Sequence, residues 1–94
     1  MKRLRYSPEA LADVEGARDW YDGQLPGLGT EFLDEVDAAI ARVMEHPLAF
    51  PVVDGSIRRV LLKRFPYALF YDPELEVILA VMHVRRRPNA WRER

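Results

Sequence analysis

Apolar and polar residues alternate at the start of this chain and again through its second half. Lys2–Tyr6 alternates as a half-buried strand does. Arg58–Phe65 repeats the pattern up to a proline, and Tyr67–Tyr71 follows at once as a further strand. Val77–Val84 is apolar at every position except His83, which is typical of a central strand buried on both faces. The pattern therefore predicts one N-terminal strand and three strands near the C-terminus.

Between these strands the period changes to that of a helix. Ser7 is a residue type that caps helix N-termini, and Pro8 suits the first helical position. This first helix is predicted to close at Asp22–Gly23. Residues 24–30 contain one proline and two glycines, which predicts a connection, and residues 31–45 then resume the helical period. Two antiparallel helices joined by a short turn follow.

The segment between the second helix and the C-terminal strands reads as a loop. Residues 47–57 contain two prolines and an Asp54–Gly55 turn, and we expect Phe50 to pin the segment to the core. We expect Trp20 and Tyr21 to close the helix hairpin. The element order β-α-α-β-β-β predicts a single α+β domain spanning residues 1–94, with the helix hairpin packed on a small, mostly antiparallel sheet.

The composition excludes several kinds of site. There is no cysteine, so neither a disulfide nor a thiol nucleophile is available. His46 and His83 are too far apart for the usual zinc spacings, and we expect no metal and no other cofactor. The N-terminus lacks the apolar core of a signal peptide, and no apolar run approaches the roughly 20 residues that span a bilayer. We therefore expect a soluble, cytoplasmic protein with no membrane partner.

The net charge of −1 hides an uneven distribution. Residues 1–50 hold five basic and ten acidic side chains, a net −5, whereas residues 51–94 hold nine basic and five acidic ones, a net +4. A nearly neutral total argues against indiscriminate nucleic-acid binding. A local basic face still attracts phosphate over a Debye length of about 10 Å.

The candidate chemistry lies at the end of the last predicted strand. Alternation would place His83 and Arg85 on one face. A histidine with several cations can cleave RNA without a metal, because imidazole transfers protons near neutral pH and guanidinium groups hold the phosphate. Arg59 and Lys63, or Arg64, would join them if the faces of their strands coincide. The pattern alone does not fix that pairing.

Simpler roles compete for the same residues. His83 could be a strand-end residue bonded to backbone, and cations on edge strands also keep a sheet unpaired and soluble. The run Arg85–Arg87 is harder to explain in that way, because three adjacent cations repel one another, and it indicates an anionic partner. Trp91 either stacks on a base or packs back onto the core. The predicted nucleic-acid or target-binding residues are Arg58, Arg59, Lys63, Arg86 and Arg87.

A series of motifs in fixed order covers nearly the whole chain. It comprises Trp20-Tyr21, Leu28-Gly29-Thr30-Glu31-Phe32, His46-Pro47 with Phe50-Pro51, residues 58–67 (RRVLLKRFPY) and residues 83–88 (HVRRRP) with Trp91. Together with the length and element order, this series resembles the RelE/ParE superfamily of bacterial toxins. The resemblance implies the toxin of a type II toxin–antitoxin pair, with a role such as plasmid stabilization, neutralised by a cognate antitoxin.

The resemblance leaves two targets open. RelE-like members cleave mRNA on the ribosome, and ParE-like members bind and poison DNA gyrase without hydrolytic chemistry. Arg64, His83 and Arg85 fall where the ribosome-dependent nucleases place basic and acid–base groups, so mRNA cleavage by these three residues is our first hypothesis. Many such nucleases also use a C-terminal tyrosine, whereas after Tyr71 this chain has only Trp91. Gyrase poisoning and a non-toxic, partner-binding member are the alternatives.

Overall fold

The computed structural model describes residues 3–86 and 89–93, and its elements follow the predicted order with two additions. They are β1 (Arg5–Tyr6), α1 (Pro8–Gln24), α2 (Leu28–Glu45), β2 (Val52–Asp54), β3 (Ile57–Leu61), β4 (Tyr67–Asp72), β5 (Val77–His83) and a 3₁₀ helix (Ala90–Glu93). The additions are β2, in a segment predicted to be a loop, and the 3₁₀ helix. The predicted α+β class is confirmed.

The helix hairpin forms as predicted, but its second helix begins earlier. Ser7 caps α1 by accepting a hydrogen bond from a backbone N–H. α2 begins at Leu28, because Asp22 Oδ1 accepts hydrogen bonds from the N–H groups of Gly27 and Gly29 at 3.0 and 3.2 Å. The cap therefore comes from the other helix. Within the described ranges, neither helix combines the length and the hydropathy of a bilayer-spanning segment.

The five strands form one sheet in the order β1-β5-β4-β3-β2. All neighbours are antiparallel except β1 and β5, which are parallel. β1 pairs with only the first two residues of β5. Beyond that point α1 satisfies the edge of β5: Ser7 Oγ donates to the Leu79 carbonyl at 3.4 Å, and the Asp13 carboxylate accepts the Val81 N–H at 2.9 Å. Helix α1 is thus fixed directly to the central strand.

A bulge in β5 changes which of its side chains share a face. Phe70 pairs with Ala80 and Tyr71 pairs with Ile78, so Leu79 is an extra residue. Simple alternation predicts that Ile78 and Ala80 face the same way, and that prediction is wrong. Ile78 belongs to the core under the helices, whereas Ala80 lies in the cluster on the other face.

Each face of the sheet has its own apolar cluster. The larger one lies between sheet and helices and includes Phe32, Val36, Leu69, Tyr71 and Val81, with Phe50 packed against it as predicted. The smaller one lies on the opposite face, where Ala80 and Met82 meet Ala90 and Trp91 of the 3₁₀ helix. The second face is therefore only partly covered, and that partial cover creates the cavity described below.

Candidate target-binding site

His83 is the last residue of β5 and lies against an aromatic ring. Its imidazole is 5.3 Å from the ring of Tyr67, edge to face. His83 Nδ1 accepts the backbone N–H of Arg85 at 3.0 Å, so in the neutral ring the proton is on Nε2. This is the backbone-bonded role that competed with catalysis. The sequence did not point to Tyr67 as the ring partner, because their pairing depends on strand register.

The strand ends at His83, so alternation does not extend to Arg85. The Val84 N–H donates to the Pro66 carbonyl at 2.8 Å, and the Arg86 N–H donates to the His83 carbonyl at 3.0 Å. The first bond extends the pairing of the two strands by one residue, and the second closes a turn. Arg85 and Arg86 are both exposed in that turn. Arg87 lies outside the described residues.

Arg64 and Lys63 occupy the exposed connection between β3 and β4. Arg64 forms a salt bridge with Glu31 of α2, at 2.6 Å between Nη2 and Oε1. The hydrogen bond to Glu31, followed by its charge, raises the pKa of Arg64. Arg64 lines none of the three cavities that His83 lines. Arg64 is therefore paired with an acidic residue, and it does not line the cavities described below to which His83 contributes.

Arg58 is engaged within the fold. Its Nη1 donates to the carbonyls of Leu48 and Phe50, at 3.0 and 2.8 Å. The hydroxyl of Tyr71 donates to the Pro47 carbonyl at 2.7 Å in the same loop. Burial raises the pKa of Tyr71, and the charge of Arg58 partly opposes that rise. The two side chains hold the segment between α2 and β2 in place.

Arg59, the next residue, lies on the opposite face of the sheet and lines a cavity of about 250 Å³. We call this space the sheet cavity. Its floor is apolar and includes Phe70, Met82 and Trp91. Its border carries the cations Arg59 and Arg86 and the imidazole of His83. The structure thus brings together three of the predicted site residues, Arg59, His83 and Arg86.

Trp91 forms part of that floor. It is 7% exposed, and its ring stacks on Phe70 with centroids 5.4 Å apart and planes at 22°. Of the two roles weighed for Trp91, packing onto the fold is the one observed. The guanidinium of Arg92 lies 5.2 Å from the centre of the same ring.

A second opening lies between α1 and the end of β5, lined by Asp13, Gly16, Trp20, Tyr67 and His83 among others. Trp20 is 59% exposed, so the expectation that it closes the hairpin is wrong. Tyr21 does close the hairpin, within 6.0 Å of the rings of Phe32, Phe65 and Tyr67. His83 therefore stands between two openings, one on each face of the sheet.

Comparison with known proteins gives a family and a fold. A family model described as "ParE toxin of type II toxin-antitoxin system, parDE" matches residues 4–88. Among solved structures, the chain is similar to one described as "Chromosomal ParDE TA system from P. aeruginosa". The TM-score is 0.62 at 19% sequence identity, covering 88% of this chain and 96% of that one. No curated protein matches. The family match includes every helix and strand from β1 to β5.

Proposed function

This chain belongs to the ParE toxin family of type II toxin–antitoxin systems, and on that premise we propose that it inhibits DNA gyrase by binding it. The observation that carries the proposal is the family match over residues 4–88. It favours the ParE-like alternative over ribosome-dependent mRNA cleavage, our first hypothesis. Such a target places the toxin in the cytoplasm.

The geometry of the predicted nuclease residues supports the same choice. Metal-free RNA cleavage needs an acid–base group, and cations at the same phosphate. Here His83 Nδ1 already accepts a backbone N–H, and Arg64 is paired with Glu31 away from the cavities that His83 lines. Trp91, in place of a C-terminal tyrosine, has no hydroxyl with which to exchange a proton. A protein that acts by binding needs none of these groups to be free.

Membership of a type II system implies an antitoxin, and we propose that an acidic segment of it covers the basic surface. That surface consists of Arg59, Arg85 and Arg86, all exposed. Arg58, predicted from the sequence to belong to it, is already bonded to two carbonyls. If these three arginines remained exposed in a purified toxin–antitoxin complex, this occlusion would be refuted.

A supercoiling assay with purified gyrase tests the main proposal. We expect the toxin to inhibit supercoiling in a dose-dependent way and the antitoxin to restore it. Heat-denatured toxin and the preformed complex are the controls. Unchanged supercoiling at saturating folded toxin would reject the proposal.

Toeprinting of mRNA on purified ribosomes tests the nuclease alternative in parallel. We expect no cleavage. Cleavage that disappears in the His83→Ala/Arg85→Ala double variant would instead establish a nuclease. Induced expression without growth arrest would favour the non-toxic, partner-binding member.

A further inference from the structure

The sheet cavity is cationic at its border and contains no carboxylate among the described residues that line it. Arg59 and Arg86 are exposed. Within residues 3–86 and 89–93, neither guanidinium has a hydrogen-bonding or ion-pair partner, in contrast to Arg58, Arg64 and Arg92. The positive charge at the cavity is thus available to a ligand.

The floor of the cavity adds a second requirement. Phe70 is half-buried, and Met82 and Trp91 are buried beneath the opening, so a ligand meets apolar and aromatic surface below the cations. A cavity of about 250 Å³ holds one compact group and not a long peptide segment. Hence the ligand should combine a strong anion with a flat, weakly polar body.

The charge of the border favours phosphate over carboxylate. Two guanidinium groups, with His83 as a further donor, present more N–H groups than one carboxylate can accept. The terminal phosphate of a nucleotide carries about two charges and three terminal oxygens, and a DNA strand offers successive singly charged phosphates. Both kinds of phosphate accept bidentate bonds from arginine. A nucleotide has both parts, a phosphate for the arginines and a base or sugar for the apolar floor.

We propose that the sheet cavity binds the phosphate of a nucleotide, held by Arg59 and Arg86 above the floor formed by Phe70, Met82 and Trp91. The phosphate belongs either to a free nucleotide or to a DNA backbone. Only the assignment of the phosphate to DNA rests on the proposed action on gyrase. The cavity and its charge are observed independently of that proposed function.

The test measures binding of a short fluorescein-labelled DNA duplex by anisotropy, with gyrase absent. We expect Arg59→Gln and Arg86→Gln each to weaken binding about tenfold or more, and to lower the slope of log K against log salt by about 0.9 per lost contact. Arg18→Gln is the matched control, because it removes the same charge from a partly exposed position on α1, where the partner among the described residues is Asp19. It should bind as the unaltered protein does, and thermal melting verifies that all three variants fold.

Competition identifies the source of the phosphate. Displacement of the duplex by dAMP would assign the site to nucleotides, and displacement by unlabelled DNA alone would assign it to the backbone. Either result supports the proposal. Three outcomes would overturn it: equal binding of the duplex by all three variants, no binding of the duplex together with no binding of dAMP by calorimetry, or displacement by polyglutamate but not by unlabelled DNA.

The gyrase assay separates this proposal from the proposed function. If the unaltered protein inhibits gyrase but binds neither DNA nor dAMP, the phosphate site is refuted and the proposed function is not. Retained DNA binding without gyrase inhibition would remove the proposed target alone.

Discussion

Arg58 and Arg59 are adjacent arginines with different contacts in the structure, and exchanging each for glutamine compares the two positions. Arg58 donates to the carbonyls of Leu48 and Phe50. A hydrogen bond from a charged donor contributes roughly 1.5–3 kcal/mol. The bond to Leu48 is exposed and counts for little, whereas that to Phe50 is partly buried. We therefore expect Arg58→Gln to lower the free energy of unfolding by about 2 kcal/mol.

That loss should be visible as a lower melting temperature. For a domain of this size, 1 kcal/mol corresponds to about 4–8 °C, so Arg58→Gln should melt roughly 10 °C lower. Arg59→Gln is the internal control, since its guanidinium has no partner within the described part of the chain, and it should melt as the unaltered protein does. Calorimetry or circular dichroism measures both. Equal melting temperatures for the two variants would refute the reasoning, as would a larger loss for Arg59→Gln.

Two further predictions concern pH and helix packing. All four tyrosines have a raised pKa, chiefly because they are buried. Tyrosine ionises at about pH 10 in the unfolded chain. The stability that the neutral tyrosines contribute is therefore fully present below about pH 10 and is lost as the pH rises above it. Tyr71→Phe should make that alkaline loss shallower in urea titrations at several pH values, and an unchanged profile would contradict this. Gly29→Ala should destabilise by about 1–3 kcal/mol, because the added Cβ would lie 2.6 Å from the Arg18 carbonyl oxygen. At Gly16 an added Cβ would meet nothing within 4 Å, so Gly16→Ala should be neutral or stabilising. Equal urea midpoints for the two variants would contradict the close packing inferred at Gly29.

The order and type of most elements follow from the sequence because their signals are local. The cap at Ser7 and the apolar run through β5 are properties of neighbouring residues, and both are observed. The start of α2 depends on Asp22, a side chain of the other helix. Strand β2 was missed because it is short and follows Pro51, so the local sequence gives no strand signal. Its pairing with β3 stabilises the strand where local propensity does not.

The candidate site was less predictable, because its composition depends on register. The bulge at Leu79 reverses the alternation of side chains between the two faces of β5, and no residue type in the sequence predicts a bulge at this position. The roles of Arg58 and Arg59 depend on which face of β3 each occupies. Their assignment to target binding, like that of Lys63, Arg86 and Arg87, stays a prediction. The assignment of His83, Arg85 and Arg64 to catalysis likewise stays a prediction.

The parallel pair of β1 and β5 joins residues that are far apart in the order of synthesis. Arg5 pairs with Val77, 72 positions later, and β5 lies between β1 and β4 in the sheet. The strand that joins β1 to the rest of the sheet is thus the last of the five to be synthesised. Until β5 has been synthesised, β1 has no strand to pair with, and the long-range contacts that slow folding cannot form. The sheet therefore stays incomplete until β5 is inserted between β1 and β4, and the sheet cavity, which β5 lines with Met82 and His83, forms only at that step.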